Sequence, residues 1–265
     1  MARTALMNVM VNAAIKAGRG LSRDFGEVEN LQVSMKGPGD FVSAADRRAD
    51  QVLIAELRKA RPGYGLLTEE SGTIEGPDKT HRWVVDPLDG TTNFLHGIPI
   101  FAVSIGLERE GQIVAGVVYN PIMNELYVAE RGSGAFLNDR RLRVAGRKEM
   151  ADAVIATGNV PMARADSTYA GELLRVMAVT AGIRRNGSAA IDLCWVASGR
   201  LDGFWHHDLS PWDMAAGLLI VREAGGFATD GEGGDGIFET GTIVAGNEAI
   251  HRRLMAVLGD TPTAR

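Results

Sequence analysis

Leu6, Val9, Met10, Ala13 and Ala17 recur at helical spacing, which predicts an amphipathic helix over residues 3–18, ending near Gly18 or Gly20. A second helix is predicted to run from Ser43 to about Ala60. Ser43 and Asp46 resemble a capping box, Val52, Leu53, Ala55 and Leu57 are partly buried, and Pro62-Gly63 ends the helix. Residues 64–68 then read as a short strand that stops at Glu69-Glu70-Ser71-Gly72, and residues 83–85 as another that stops at Asp86. The polar residues 73–80, with Gly76-Pro77, predict a surface connection. From Phe101 the period becomes two. Residues 101–108, 113–119 and 125–129, continued by 135–137 and 141–144, predict an antiparallel meander. After it, strands at 154–157, 183–185, 202–205, 227–228 and 242–245 alternate with helices at 168–179, 189–198, 211–224 and 248–258. With no repeat or linker in sight, residues 1–265 read as one domain with a first half, 1–150, and a second, 151–265.

Two consecutive strands therefore end in acids, which can converge on one sheet edge. The second continues as Asp86-Pro87-Leu88-Asp89-Gly90-Thr91-Thr92-Asn93-Phe94. Pro87 cannot donate to a sheet ladder and holds Asp86 extended, and Gly90 permits a tight turn. Acids for a cation, followed by free N–H groups for an anion, suit a metal–phosphate site. The two acids alone are equally an ordinary Asp/Gly turn. Ser210-Pro211-Trp212-Asp213 is a strong helix start, and capping alone accounts for Asp213, yet it also puts that acid at a helix end that can face a site.

Charge and composition narrow the classes. The net charge of −5 and the absence of a long Lys/Arg run argue against nonspecific nucleic-acid binding. Arg140-Arg141-Leu142-Arg143 and Arg184-Arg185 read as solvated edges or partner contacts. The lone Cys194 can form no intrachain disulfide, which fits a cytoplasmic setting. No apolar run is long enough for a membrane span, and Asn8, Asn12 and Lys16 break the signal-peptide pattern. A G-x-G-x-x-G match at residues 231–236 is followed by a strand-like segment rather than a helix, so it predicts a flexible loop, not a dinucleotide site. His206 and His207 are adjacent on a strand and point to opposite faces, which disfavours a shared zinc.

Glu69-Glu70-Ser71, the 86–94 string, and Trp212-Asp213-Met214-Ala215-Ala216-Gly217 with Glu223-Ala224-Gly225-Gly226 together resemble the inositol monophosphatase family over nearly the whole chain. The resemblance implies a layered α/β/α/β/α sandwich, as in fructose-1,6-bisphosphatase. It implies an Mg²⁺-dependent, Li⁺-sensitive phosphatase, commonly a homodimer, with two or three ions per site. The substrate is then inositol 1-phosphate or a related polyol phosphate, hydrolysed by a metal-activated water. Carried over, Glu69, Asp86, Asp89 and Asp213 match side-chain metal ligands, and Leu88 a backbone carbonyl ligand. Thr91 and Glu69 match groups that orient the water, with Asp46 supporting Thr91. Asp89, Gly90, Thr91, Gly187, Ser188, Ala189, His206 and Asp213 match substrate contacts. At His206 relatives usually carry a glutamate, so three roles stand open: a solvent-facing bystander, a hydrogen-bonding group, or a cation for a second anionic group. Alternatives are the superfamily's phosphatases for fructose-1,6-bisphosphate, histidinol phosphate or 3′-phosphoadenosine nucleotides. A different class is a regulatory partner of the transcription machinery, which some bacterial members resemble.

Overall fold

Residues 64–68 and 83–85 do lie side by side, and their acidic ends share an edge. In the computed structural model, which describes residues 3–27, 33–37, 40–158 and 167–259, with side chains outside 33–43 and 167–168, β3 (Tyr64–Thr68) pairs in parallel with β5 (Asp78–Asp89), Thr68 opposite Val85. The meander β6 (Ala102–Arg109), β7 (Gln112–Asn120), β8 (Glu125–Glu130), β9 (Gly134–Leu137) and β10 (Arg140–Arg141) extends it antiparallel. With β4 (Gly72–Ile74) on the other edge the sheet has 8 strands. Strands β1 (Val33–Gly37) and β2 (Asp40–Ser43) pair antiparallel in a separate sheet.

The second sheet has 5 strands in the order β12-β11-β13-β15-β14, from β11 (Val154–Thr157), β12 (Gly182–Arg184), β13 (Gly203–His206), β14 (Phe227–Thr229) and β15 (Ile243–Gly246). Three apolar cores define the layers. Helices α1 (Ala5–Phe25) and α2 (Ala44–Ala60) cover the outer face of the large sheet. After the short α3 (Thr91–Leu95), α4 (Ser167–Val179) packs with α8 (Glu248–Gly259) outside the small sheet. Between the sheets lie α5 (Ala189–Ala197) and α6 (Pro211–Glu223), which are nearly wholly apolar. A helix buried on all sides needs no polar face, and this explains the weak amphipathicity of both. The result is the α/β/α/β/α sandwich.

Contact between α6 and the large sheet is close. A Cβ on Gly116 would stand 2.9 Å from the Ala216 carbonyl oxygen, so only glycine lets the helix settle there. Ser104, opposite Asp86 in the β5–β6 ladder, donates from its hydroxyl to the Trp212 carbonyl at 3.3 Å. Both contacts fix the start of α6, and Asp213 with it, over the end of β5.

Several elements differ from the sequence expectation. Helix α1 runs on through Gly18 and Gly20 to Phe25, because Gly18 makes room for a neighbour: a Cβ there would meet Tyr119 Cε1 at 2.7 Å. Residues 73–80 are not a bare connection but hold β4 and the start of β5. Ala55 is exposed; Ala45 and Ala49, with Leu53 and Leu57, form the buried face of α2. The glycine-rich 231–236 loop is followed by a short helix, α7 (Ile237–Thr240), and is drawn around Asp230, whose carboxylate accepts from the N–H groups of Glu232, Gly234 and Gly236. The Ser43 cap lies outside the described side chains. No described helix is long and apolar enough to cross a membrane.

Candidate metal centre

Strand β5 ends in an irregular ladder between Asp86 and Asp89. There the Asp86 carboxylate accepts from Leu88 N–H at 2.8 Å, closing a turn that Pro87 permits because it needs no donor. Gly90 follows at φ 99°, and a Cβ on it would meet the Ile100 carbonyl at 2.9 Å. The chain turns directly into α3, whose first residue, Thr91, donates from its hydroxyl to the Leu88 carbonyl at 3.0 Å. Asp46, buried on α2, lies 3.5 Å from the same hydroxyl.

Glu69 continues the β3–β5 ladder, its N–H donating to the Val85 carbonyl at 3.2 Å. The turn after it closes through Ser71 N–H on the Thr68 hydroxyl at 2.9 Å. Asp213 sits at the third position of α6, where its carboxylate accepts from Ser210 N–H at 2.7 Å and completes the capping box. Asp89 is held from the other half of the chain. Its carboxylate accepts from the Ser188 hydroxyl at 2.6 Å, Ala190 N–H at 2.7 Å and Ala189 N–H at 3.3 Å, at the N-terminus of α5. A carboxylate there meets unsatisfied N–H groups and the positive end of the helix dipole.

Two acidic groups result. Asp86, Asp89 and Asp213 bring carboxylate oxygens within 4.8 Å of one another, and Asp46, Glu69 and Glu70 do the same. Burial, then the charges of Glu69, Asp89, Asp213 and Asp46, push the Asp86 carboxyl well above the usual range, so the two groups act on each other. Asp213 is pushed up by burial and by Asp89. Burial raises Asp89 to about 6 against the opposing hydrogen bonds from Ser188, Ala190 and Ala189. Among the described residues no lysine or arginine pairs with Asp86, Asp89 or Asp213. Crowded carboxylates that all offer oxygen fit a hard divalent ion.

The resemblance placed Glu69 with Asp86, Asp89 and Asp213; Glu69 falls in the neighbouring group with Asp46 and Glu70, and its charge is the first among those that raise Asp86, so it borders both groups. Glu70 had not been singled out, although it follows Glu69 in the quoted string. The Leu88 carbonyl is engaged by Thr91. Ser188 and Ala189 reach the site through Asp89, as does Ala190, while Gly187 packs against the Asn93 side chain. Ser104 also escaped notice, as a hydroxyl inside an apolar strand gives no signal.

His206 is not turned to solvent. It is 8% exposed, its ring lies against Gly158, and its Nδ1 donates to the His207 carbonyl. Burial lowers it to about 4, which favours the neutral ring over a cation for a second anionic group. His207 faces the other way, to Glu172 on α4 at 2.7 Å, so the two rings do not share a ligand position.

The inositol monophosphatase family model matches residues 3–262. The chain belongs to the inositol monophosphatase family. An inositol-1-monophosphatase of Mesorhizobium japonicum is 63% identical, covering 100% of both chains. The Nus factor SuhB of Escherichia coli is 43% identical over 96% of each. The crystal structure of extragenic suppressor protein suhB from Bartonella henselae superimposes with a TM-score of 0.95 at 62% identity, covering 97% of this chain and 99% of that one.

Proposed function

We propose that the protein is a Mg²⁺-dependent phosphomonoesterase that hydrolyses inositol 1-phosphate, or a closely related polyol phosphate, to the alcohol and phosphate. The observation that carries this reading is the pair of adjoining acidic groups, in which no described lysine or arginine pairs with Asp86, Asp89 or Asp213, in a chain of this family. Asp86, Asp89, Asp213, Glu69 and the Leu88 carbonyl would hold two or three ions. Such ions supply charge neutralisation, a more acidic water and stabilisation of the leaving alkoxide.

The protein's own groups do the rest. Thr91, placed between the Leu88 carbonyl and Asp46, orients the attacking water together with Glu69. The N–H groups of Gly90 and Thr91, at the turn into α3, face the phosphate. Gly187, Ser188, Ala189, Asp213 and a neutral His206 contact the polyol, with Ser188 also fixing Asp89. An in-line displacement of this kind needs no covalent enzyme intermediate. Li⁺ sensitivity, a homodimer and a cytoplasmic location belong to the same reading; buried Cys194, with no disulfide partner, is compatible with a reducing compartment.

The test is phosphate release from a panel of inositol 1-phosphate, fructose-1,6-bisphosphate, histidinol phosphate and a 3′-phosphoadenosine nucleotide, with Mg²⁺ or with EDTA. Mg²⁺-dependent release, greatest for inositol 1-phosphate, supports the reading. Release unaffected by EDTA overturns it.

The 43% identity to a Nus factor favours a second reading, a regulatory role at the transcription machinery. Under it, Asp89→Asn retains partner capture in a pull-down with RNA polymerase while losing turnover; no capture by either form removes this reading.

A further inference from the structure

Asn93 is the second-last residue of the 86–94 string, and its side chain bonds outside it. Its amide nitrogen gives one hydrogen to the Ile100 carbonyl at 2.7 Å and the other to the Asn186 carbonyl at 2.6 Å. An amide nitrogen has two hydrogens, so the donor capacity of Asn93 is filled by one carbonyl from each half of the chain. The Asn186 side chain in turn donates to Asp192 at 2.6 Å. Asp192 is 1% exposed on α5, one turn in from Ser188. Between these anchors lies Ser188, the residue that donates to Asp89.

We propose that Asn93, Asn186 and Asp192 are positioning residues that fix the Asn186-Gly187-Ser188 segment, and so set how the Asp89 carboxylate is presented to a metal. This rests on the functional reading above and adds residues to it. The argument is geometric. The Asp89 carboxylate is shared between the N-terminus of α5 and the acidic group of β5 and α6. A shift of α5 or of the segment before it therefore moves a proposed ligand directly. Asn93 ties that segment to the residues leading into β6, and Asn186 ties it to α5. The Asp192 carboxyl, raised to about 8 by burial, is held as an acceptor for Asn186 rather than as a free charge. None of the three needs to touch metal or substrate. Groups that orient a ligand from behind typically change metal affinity by roughly 10–100-fold when removed.

Isothermal titration of Mg²⁺ into the parent protein and into Asn186→Ala, Asp192→Leu and Asp192→Asn tests this, with thermal melts in EDTA alongside. Asn186→Ala and Asp192→Leu should weaken Mg²⁺ binding by about tenfold while still melting cooperatively in EDTA. Asp192→Asn, whose amide oxygen can accept from Asn186, should bind like the parent. If Asp192→Leu does not fold, Asn186→Ala decides, since Asn186 is only partly buried. Parent-like Mg²⁺ affinity in Asn186→Ala, even with a lowered melting temperature, would overturn the proposal. A parent protein that binds no Mg²⁺ would instead overturn the functional reading.

Discussion

Ser188 and Asp89 stand 99 positions apart in the chain, and the serine hydroxyl donates to the aspartate carboxylate across 2.6 Å. That contact joins the end of β5, in the large sheet, to the start of α5, in the layer between the sheets. The acids are crowded because the ends of β3 and β5 meet α2, the start of α6 and the N-terminus of α5 at one place, and the electrostatic consequences follow from that crowding.

Metal binding should be visible as stability. Carboxylates that repel one another in the folded protein are relieved when a cation binds the folded form only. Mg²⁺ at about ten times its dissociation constant should add roughly 1.4 kcal/mol. Thermal melts with EDTA and with excess Mg²⁺ measure this. Coincident melts, together with no heat of binding, would leave Asp86, Asp89 and Asp213 as turn and cap residues.

The pH dependence has a definite sign. In the metal-free protein Asp89 is raised from an ordinary 3.8 to about 6, and Asp86 and Asp213 are also raised, by burial and by other acids. The folded state thus binds protons more tightly than the unfolded one. This contribution to stability is fully present below the unfolded value and is lost as pH rises through the folded values. With EDTA, stability should therefore fall between about pH 4 and pH 7, and the gain from Mg²⁺ should grow over the same interval. Urea unfolding across pH, with and without Mg²⁺, checks both statements. Asp89→Asn should flatten the EDTA curve.

His206 makes a contrasting prediction. A ring lowered to about 4 is neutral through the working range, so kcat/KM should show no step assignable to it near pH 6.5. His206→Glu should lower KM for inositol 1-phosphate several-fold and change kcat less, because a charge-assisted hydrogen bond to a hydroxyl is worth about 1.5–3 kcal/mol. Equal kcat/KM for both forms across a substrate panel would make His206 a packing residue only.

Much of this was legible before any coordinates. Strand-like alternation marked β6–β8, the helix-start signal at Ser210-Pro211-Trp212-Asp213 marked α6, and the proline and glycine of the 86–94 string marked the end of β5. Tertiary packing explains the misses. Gly18 and Gly20 look like helix stops, but Tyr119 fills the space over Gly18, and the helix continues. The polar residues of β4 lie on an edge strand and those of early β5 are exposed or half-buried, so neither shows a clear alternation. At the site, local strings located each acid but not its neighbours. The hold of Ser188 on Asp89 and the burial of His206 arise from contacts far apart in sequence.

The most direct measurement is phosphate release from inositol 1-phosphate, as a function of Mg²⁺, for the parent and for Asp89→Asn. The substitution removes one charge at nearly constant shape and leaves an amide that can still meet Ser188. Turnover should fall by about 10²-fold or more, with the EDTA melt showing an intact fold. Near-parent turnover in Asp89→Asn, with an unchanged Mg²⁺ dependence, would contradict the assignment of this acidic centre as the metal site.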